Sequence, residues 1–156
     1  MFKLTTPFST ILVPIDGSQP SINAVNCAIS LSVRNSAQLW VIHVFVSRLG
    51  FDFSSKNEVD QTPSSIRTIL DNERSEFEGI FTNIKDLAES QCVDFKSEVI
   101  VTPASIVAAI VGYAGKNSAD LIVMGTRGLS GLKKMMLGSV ASGVVICSSC
   151  PVLIVK

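Results

Sequence analysis

The chain has 156 residues, 47% of them apolar and 17% charged, enough to bury one core and too apolar for a disordered segment. Thirteen basic and thirteen acidic residues cancel, which argues against the broad positive face of a nucleic-acid binder. Mean hydropathy is +0.43, yet no apolar run approaches the ~20 residues of a membrane span, and Met1–Thr10 lacks the apolar stretch of a signal peptide; the expectation is a soluble, cytoplasmic chain that partners neither membrane nor nucleic acid.

In chain order, short apolar runs alternate with helical patterns. Thr10–Ile15 (TILVPI) reads as a buried strand, with Pro14 marking a strand end or bulge because it cannot donate to a ladder. Ile22, Val25, Ile29 and Val33 recur at helical spacing, with Ser18 as N-cap and Pro20 in the first turn. Val41–Val46 (VIHVFV) is the second strand. Residues 47–62 then read as a long surface loop. The apolar positions from Ile66 to Leu87 mark a long helix with an acidic outer face. Val99–Val101, with Phe95 before it, suggests the third strand. Ile106, Ala109, Ile110 and Tyr113 mark a helix opened by Thr102 and Pro103. Leu121–Met124 (LIVM) is the fourth strand, residues 139–147 (SVASGVVIC) the last helix, and Val152–Val155 (VLIV) the fifth strand. Nearly continuous apolar strands separated by helices imply a parallel sheet covered on both faces. The order βαβαβαβαβ therefore implies one doubly wound α/β domain over residues 1–156.

The zero net charge hides a split. Every acid lies at or before Asp120, where nine cations meet thirteen acids, a net of −4; beyond it stand Arg127, Lys133, Lys134 and Lys156 with no acid. Three of those cations fall in the connection from Thr126 to Gly138, which also holds Gly128, Gly131 and Gly138 and leads from a buried strand into a helix. Glycines let backbone approach an anion closely. Free N–H groups at Ser139 and Val140 would open a helix whose dipole favours negative charge. The pattern points to a phosphate cradle. It contains neither G-x-x-x-x-G-K-[ST] nor G-x-G-x-x-G, so a P-loop enzyme or a dinucleotide-binding dehydrogenase is not expected.

Gly125-x2-Gly128-x9-Gly138-Ser139 resembles the ATP-binding motif G-x2-G-x9-G-[ST] of universal stress proteins. Ile11–Ser18 (ILVPIDGS), Ile42–Val44 (IHV), Ala119–Gly125 (ADLIVMG) and Cys150–Val155 (CPVLIV) resemble the first, second, fourth and last strands of that family. The likeness runs from about Phe8 to Lys156 and is weakest over 47–92. It implies a five-stranded parallel Rossmann-like sheet of order 3-2-1-4-5 that binds ATP, with Mg2+ or Mn2+ carried on the phosphates and no metal ligand from protein side chains. Position by position it implies that Asp16 contacts adenine and the ribose side, with Pro14 and Ile15 beside it. Val44 would meet the adenine edge through its backbone. Met124 and Gly125 would end the fourth strand, and Gly128, Gly138, Ser139 and Val140 would hold phosphate beside Arg127. It also implies a homodimer through Val152, Leu153, Ile154 and Val155, an apolar edge of the kind that invites pairing.

Three functions compete on these residues. The first is a dimeric, nucleotide-dependent regulator of a stress response. The second is a slow ATPase or phosphotransferase using the same pocket, although no base to orient a water is legible. The third is a thiol-redox protein using Cys147 and Cys150, a C-x-x-C that closes a helix, where the dipole opposes a thiolate. The first is favoured. His43, the sole histidine, reads as a packed mid-strand residue, and the four cysteines as buried or incidental.

Overall fold

The computed structural model describes residues 8–47, 64–127 and 137–156, with backbone alone at 65–66. Gly128, Gly131, Lys133, Lys134, Met135 and Met136, and the 47–62 loop beyond Ser47, lie outside the described residues. The elements are β1 (Thr10–Ile15), α1 (Gln19–Asn35), β2 (Gln38–Val46), α2 (Ser64–Ser90), β3 (Phe95–Thr102), α3 (Ile106–Lys116), β4 (Leu121–Gly125), α4 (Ser139–Cys147) and β5 (Val152–Val155). All strand pairs are parallel and their spatial order is β3-β2-β1-β4-β5.

Alternation of side chains along each strand divides the core in two. Ile11, Val13 and Ile15 of β1, Leu39 and Val41 of β2, and Leu121 and Val123 of β4 face α1 and α2, where Val25, Ile29, Phe77, Phe81 and Ile84 meet them. Leu12, Ile42, Val44, Ile122 and Met124 point the other way, onto Ile110 and Ala114 of α3 and Ala141 and Val144 of α4. This two-sided burial is why the central strands carry almost no polar residue.

The helices begin where their caps place them. Ser18 accepts from Ser21 N at the start of α1, with Pro20 in the first turn as expected. The start of α3 departs from expectation. Ser105, not Thr102 or Pro103, is the N-cap, accepting from Ala108 N at 3.1 Å, because Thr102 is still the last residue of β3. The stripe of α1 is Ser21, Ala24, Val25, Ala28, Ile29 and Ser32; Val33 falls off it and is exposed. Ile69 and Leu87 of α2 are exposed for the same reason, while Leu70, Phe77, Phe81 and Ile84 are buried.

Two strands are longer than their apolar runs. β2 starts at Gln38, paired with Thr10, and β3 starts at Phe95 and includes exposed Lys96, Ser97 and Glu98. β3 is an outer strand, and charge there discourages pairing with other chains. A chain of contacts covers this edge. Lys96 sits 4.7 Å over the Trp40 ring, Trp40 meets Tyr113 edge-on, and the Tyr113 hydroxyl donates to Glu98 at 2.8 Å. No helix among the described residues is long and apolar enough to cross a membrane.

Candidate functional site

The sheet opens at one place. β1 pairs with β2 along its whole length, but its ladder with β4 covers only Ile11↔Leu121 and Leu12↔Ile122. Pro14 follows that point. A residue without an N–H is tolerated where the ladder has already stopped, as expected from its place in the run. Beyond it the C-terminal ends of β1 and β4 border a cavity of about 300 Å³ at the reversal of strand order, a volume at the lower end of small-ligand pockets (~300–1,000 Å³).

Four stretches of chain supply its walls. Pro14, Ile15 and Asp16 come from the exit of β1, and Val44 from β2. Met124, Gly125 and Arg127 come from the exit of β4, and Gly138, Ser139 and Val140 from the start of α4. Ten positions singled out in the sequence therefore line one cavity; Gly128 is outside the described residues. Ser21, His43, Ile106, Ile110 and Ala141 complete the lining. Sequence reading missed these five as wall residues. Ile106, Ile110 and Ala141 carry only a core signal, and Ser21 reads as one more first-turn residue of α1.

Local structure fixes the polar members. The Asp16 carboxylate accepts from the Ser18 backbone N–H at 3.0 Å and from the Ser18 hydroxyl at 2.5 Å. Ser18 in turn caps α1, and Gly17 between them takes φ +82°, which a side chain would disfavour. Asp16 thus serves the helix entry and lines the cavity together. On the opposite wall, Gly138 N donates to Thr126 O at 2.8 Å, and Thr126 N donates to Val155 O at 3.0 Å. The two ends of the glycine-rich connection are thereby stitched to each other and to β5. Gly138 is the N-cap of α4 and makes no side-chain cap bond, so the first-turn N–H groups face the cavity mouth without an acceptor from the cap. A Cβ on Gly138 would lie 3.2 Å from Thr126 O, tight enough to press on that stitch.

Gly125 has a different task. A Cβ there would stand 2.7 Å from the Pro20 carbonyl carbon and 2.8 Å from Pro20 O and Cβ. The first glycine of the motif lets α1 seat on β4, a packing task that its place in the cavity lining does not reveal.

One carboxylate, one guanidinium and a helix N-terminus around a mostly apolar floor make a site for an amphipathic anion: an apolar or aromatic body on Val44, Ile106, Ile110 and Met124, and a negative end at α4. The residues fit a nucleotide with its phosphates at Gly138–Val140. Cys92 and Cys147 are exposed and Cys27 and Cys150 are half-buried, all four as free thiols. None lines the cavity.

A sequence profile described as the universal stress protein family matches residues 7–156. Universal stress protein YxiE of Bacillus subtilis is 36% identical over 149 residues, covering 96% of this chain and 99% of its own. Among solved structures, the hypothetical protein MJ0577 aligns with TM-score 0.79 at 25% identity over 96% of both chains. A universal stress protein in complex with cAMP aligns with TM-score 0.68 at 25% identity, covering 96% of this chain and 98% of that one.

Proposed function

Because the chain belongs to the universal stress protein family, we propose that its cavity binds an adenine nucleotide, ATP in the first place, and that it acts as a dimeric, nucleotide-dependent regulator of a stress response. The observation that carries this is the convergence of Asp16, Val44, Met124, Arg127 and Gly138–Val140 on one cavity at the switch point of the sheet. The cAMP bound by a structural relative supports the choice of adenine.

In this reading the Val44 backbone meets the adenine edge, and Ile106, Ile110 and Met124 cover its faces. Asp16, already oriented by Ser18, takes the ribose side. The phosphates lie at the N-terminus of α4, where N–H groups and the dipole favour an anion by ~0.3–1 kcal/mol and up to ~2 where water is partly excluded. Arg127 adds charge, and Gly128 is given a phosphate-binding role from the sequence motif alone. Mg2+ or Mn2+ would be carried by the phosphates and would neutralise them in part.

The dimer uses β5. It is an outer strand whose Leu153 is 37% exposed, and Val145 and Ile146 on the preceding helix are 45% and 81% exposed. A second copy pairing along Val152–Val155 would cover the open edge of this strand. Mass spectrometry of nucleotide released on denaturation, with calorimetry against Mg2+-ATP, tests the first claim; no binding at millimolar ligand refutes it. Light scattering tests the second, and a monomer at tens of micromolar refutes it.

A further inference from the structure

His43 joins three parts of the molecule. It ends the β1–β2 register opposite Ile15, lines the nucleotide cavity, and has a side chain only 12% exposed. Its Nδ1 lies 3.0 Å from the Ile15 carbonyl oxygen. Its Nε2 lies 3.7 Å from Glu73 Oε2 on α2. Its ring stacks on Phe77, one turn further along that helix, with centroids 3.4 Å apart and planes 9° from parallel.

The geometry decides the tautomer. A carbonyl oxygen only accepts, so Nδ1 must carry a hydrogen in both charge states. In the neutral ring, Nε2 then turns a lone pair toward the Glu73 carboxylate. In the protonated ring it turns an N–H toward the same group, and an ion pair bridges α2 to β2 and, through Nδ1, to the exit of β1. The charged group against the ring is Glu73 from α2; Asp16 from the β1 exit and Arg127 from the β4 exit line the same cavity as His43, and the facing residue of β3 is Val99, which is uncharged. Histidine is the side chain that ordinarily changes charge between pH 5 and 8.

We propose that His43 is a positioning residue that couples nucleotide binding to the seating of α2, the pocket binding more tightly when the imidazole is protonated and bridged to Glu73. This rests on the adenine-nucleotide reading of the cavity. Nδ1–H holds the Ile15 carbonyl in both charge states; with the bridge made, the ring that holds it is itself tied to α2, and Asp16 follows Ile15 in the chain, so less of the pocket must be ordered on binding. The imidazolium also adds positive field for an anionic ligand. By reciprocity, bound nucleotide must make the imidazole harder to deprotonate.

The sequence contains no other histidine, so one 15N-histidine-labelled sample of the full chain reports on this ring alone. The probe is cAMP, whose single phosphodiester charge is constant over the range used. In long-range 1H–15N spectra the neutral ring should be the Nδ1–H tautomer, and saturating cAMP should raise its titration midpoint. Calorimetry should give cAMP affinity about fivefold tighter at pH 5.5 than at pH 8, the low end of ordinary coupling. In Glu73→Gln that difference should vanish, with the pH 8 affinity kept. An Nε2–H neutral tautomer, or binding with the same affinity at both pH values, overturns the coupling and leaves the nucleotide reading intact. Absence of binding of cAMP and of Mg2+-ATP at every pH overturns both.

Discussion

Gly125→Ala separates two explanations of the first glycine in the motif. A methyl at this position would meet Pro20 backbone at 2.7 and 2.8 Å, whereas ordinary carbon contacts start near ~3.5 Å. About 0.7–0.8 Å must be found between β4 and the first turn of α1, and backbone cannot rotate aside as a side-chain end can. The helix that must shift carries Ala24, Val25, Ala28 and Ile29, all 0–1% exposed. Overpacking costs about 1–3 kcal/mol, and a backbone clash at a fully packed helix belongs in the upper half, about 2–3 kcal/mol. For a domain of this size that lowers Tm by roughly 5–10 °C. Urea unfolding followed by the fluorescence of Trp40 measures it. Nucleotide affinity of the folded fraction should fall less than tenfold, because Gly125 offers the ligand no N–H that alanine lacks. Unchanged stability with abolished binding would refute the packing argument and return Gly125 to the phosphate cradle.

Gly112→Ala should stabilise by about 0.5–1 kcal/mol, seen as a higher urea midpoint, because the helix interior gains alanine's lower chain entropy and nothing lies within 4 Å of the added carbon. Gly143→Ala, also helical, should destabilise instead, since its Cβ would stand 2.7 Å from a Val107 methyl between α3 and α4; equal midpoints for the two variants would contradict both assignments. Tyr113 is the only tyrosine. Burial first, then its hydrogen bond to Glu98 and that group's negative charge, raise its pKa above the ordinary value of 10. The unfolded chain therefore ionises first, so this tyrosine leaves stability unaffected below pH 10 and lowers it as pH rises above 10. Absorbance at 295 nm should show no midpoint at 10 in the folded protein, and Glu98→Gln should recover only part of the shift. Asp120→Ala should cost about 1–2 kcal/mol, because Asp120 Oδ2 accepts from both Ser9 N (2.7 Å) and Thr10 N (2.9 Å) at the entry to β1.

What could be read from the sequence follows from what each signal measures. Central strands β1 and β4 are buried on both faces, so apolar runs locate them to within a residue. The outer strand β3 is buried on one face for part of its length, and its Lys96–Glu98 stretch carries no apolar signal. The α3 start was misplaced because Thr102 and Ser105 are both good caps, and only the length of β3 decides between them. The cavity-lining residues Asp16 and Gly125 can be located from sequence because the apolar runs of β1 and β4 end at them, although each also serves the local fold. His43 was not. A lone histidine in an apolar run looks like core, and its link to Glu73 crosses thirty positions of chain that no local pattern connects.

The cavity lies where the β1–β4 ladder stops short, and Pro14, two residues beyond Leu12, has no N–H to continue the pairing, while β4 runs on to Gly125 paired with β5. On the other side of β1 the ladder with β2 runs on to Ile15↔His43, where the imidazole holds the Ile15 carbonyl. β1 is therefore anchored on its β2 side and free on its β4 side over the same two residues, Pro14 and Ile15. A ligand in the gap meets one lip at the β1 exit, which Asp16 continues, and another made by Met124, Gly125, Arg127 and Gly138, where Gly138 N donates to Thr126 O and Thr126 N to Val155 O. If β5 is also the dimer edge, the Val155–Thr126–Gly138 bonds are the path that joins it to the cavity wall.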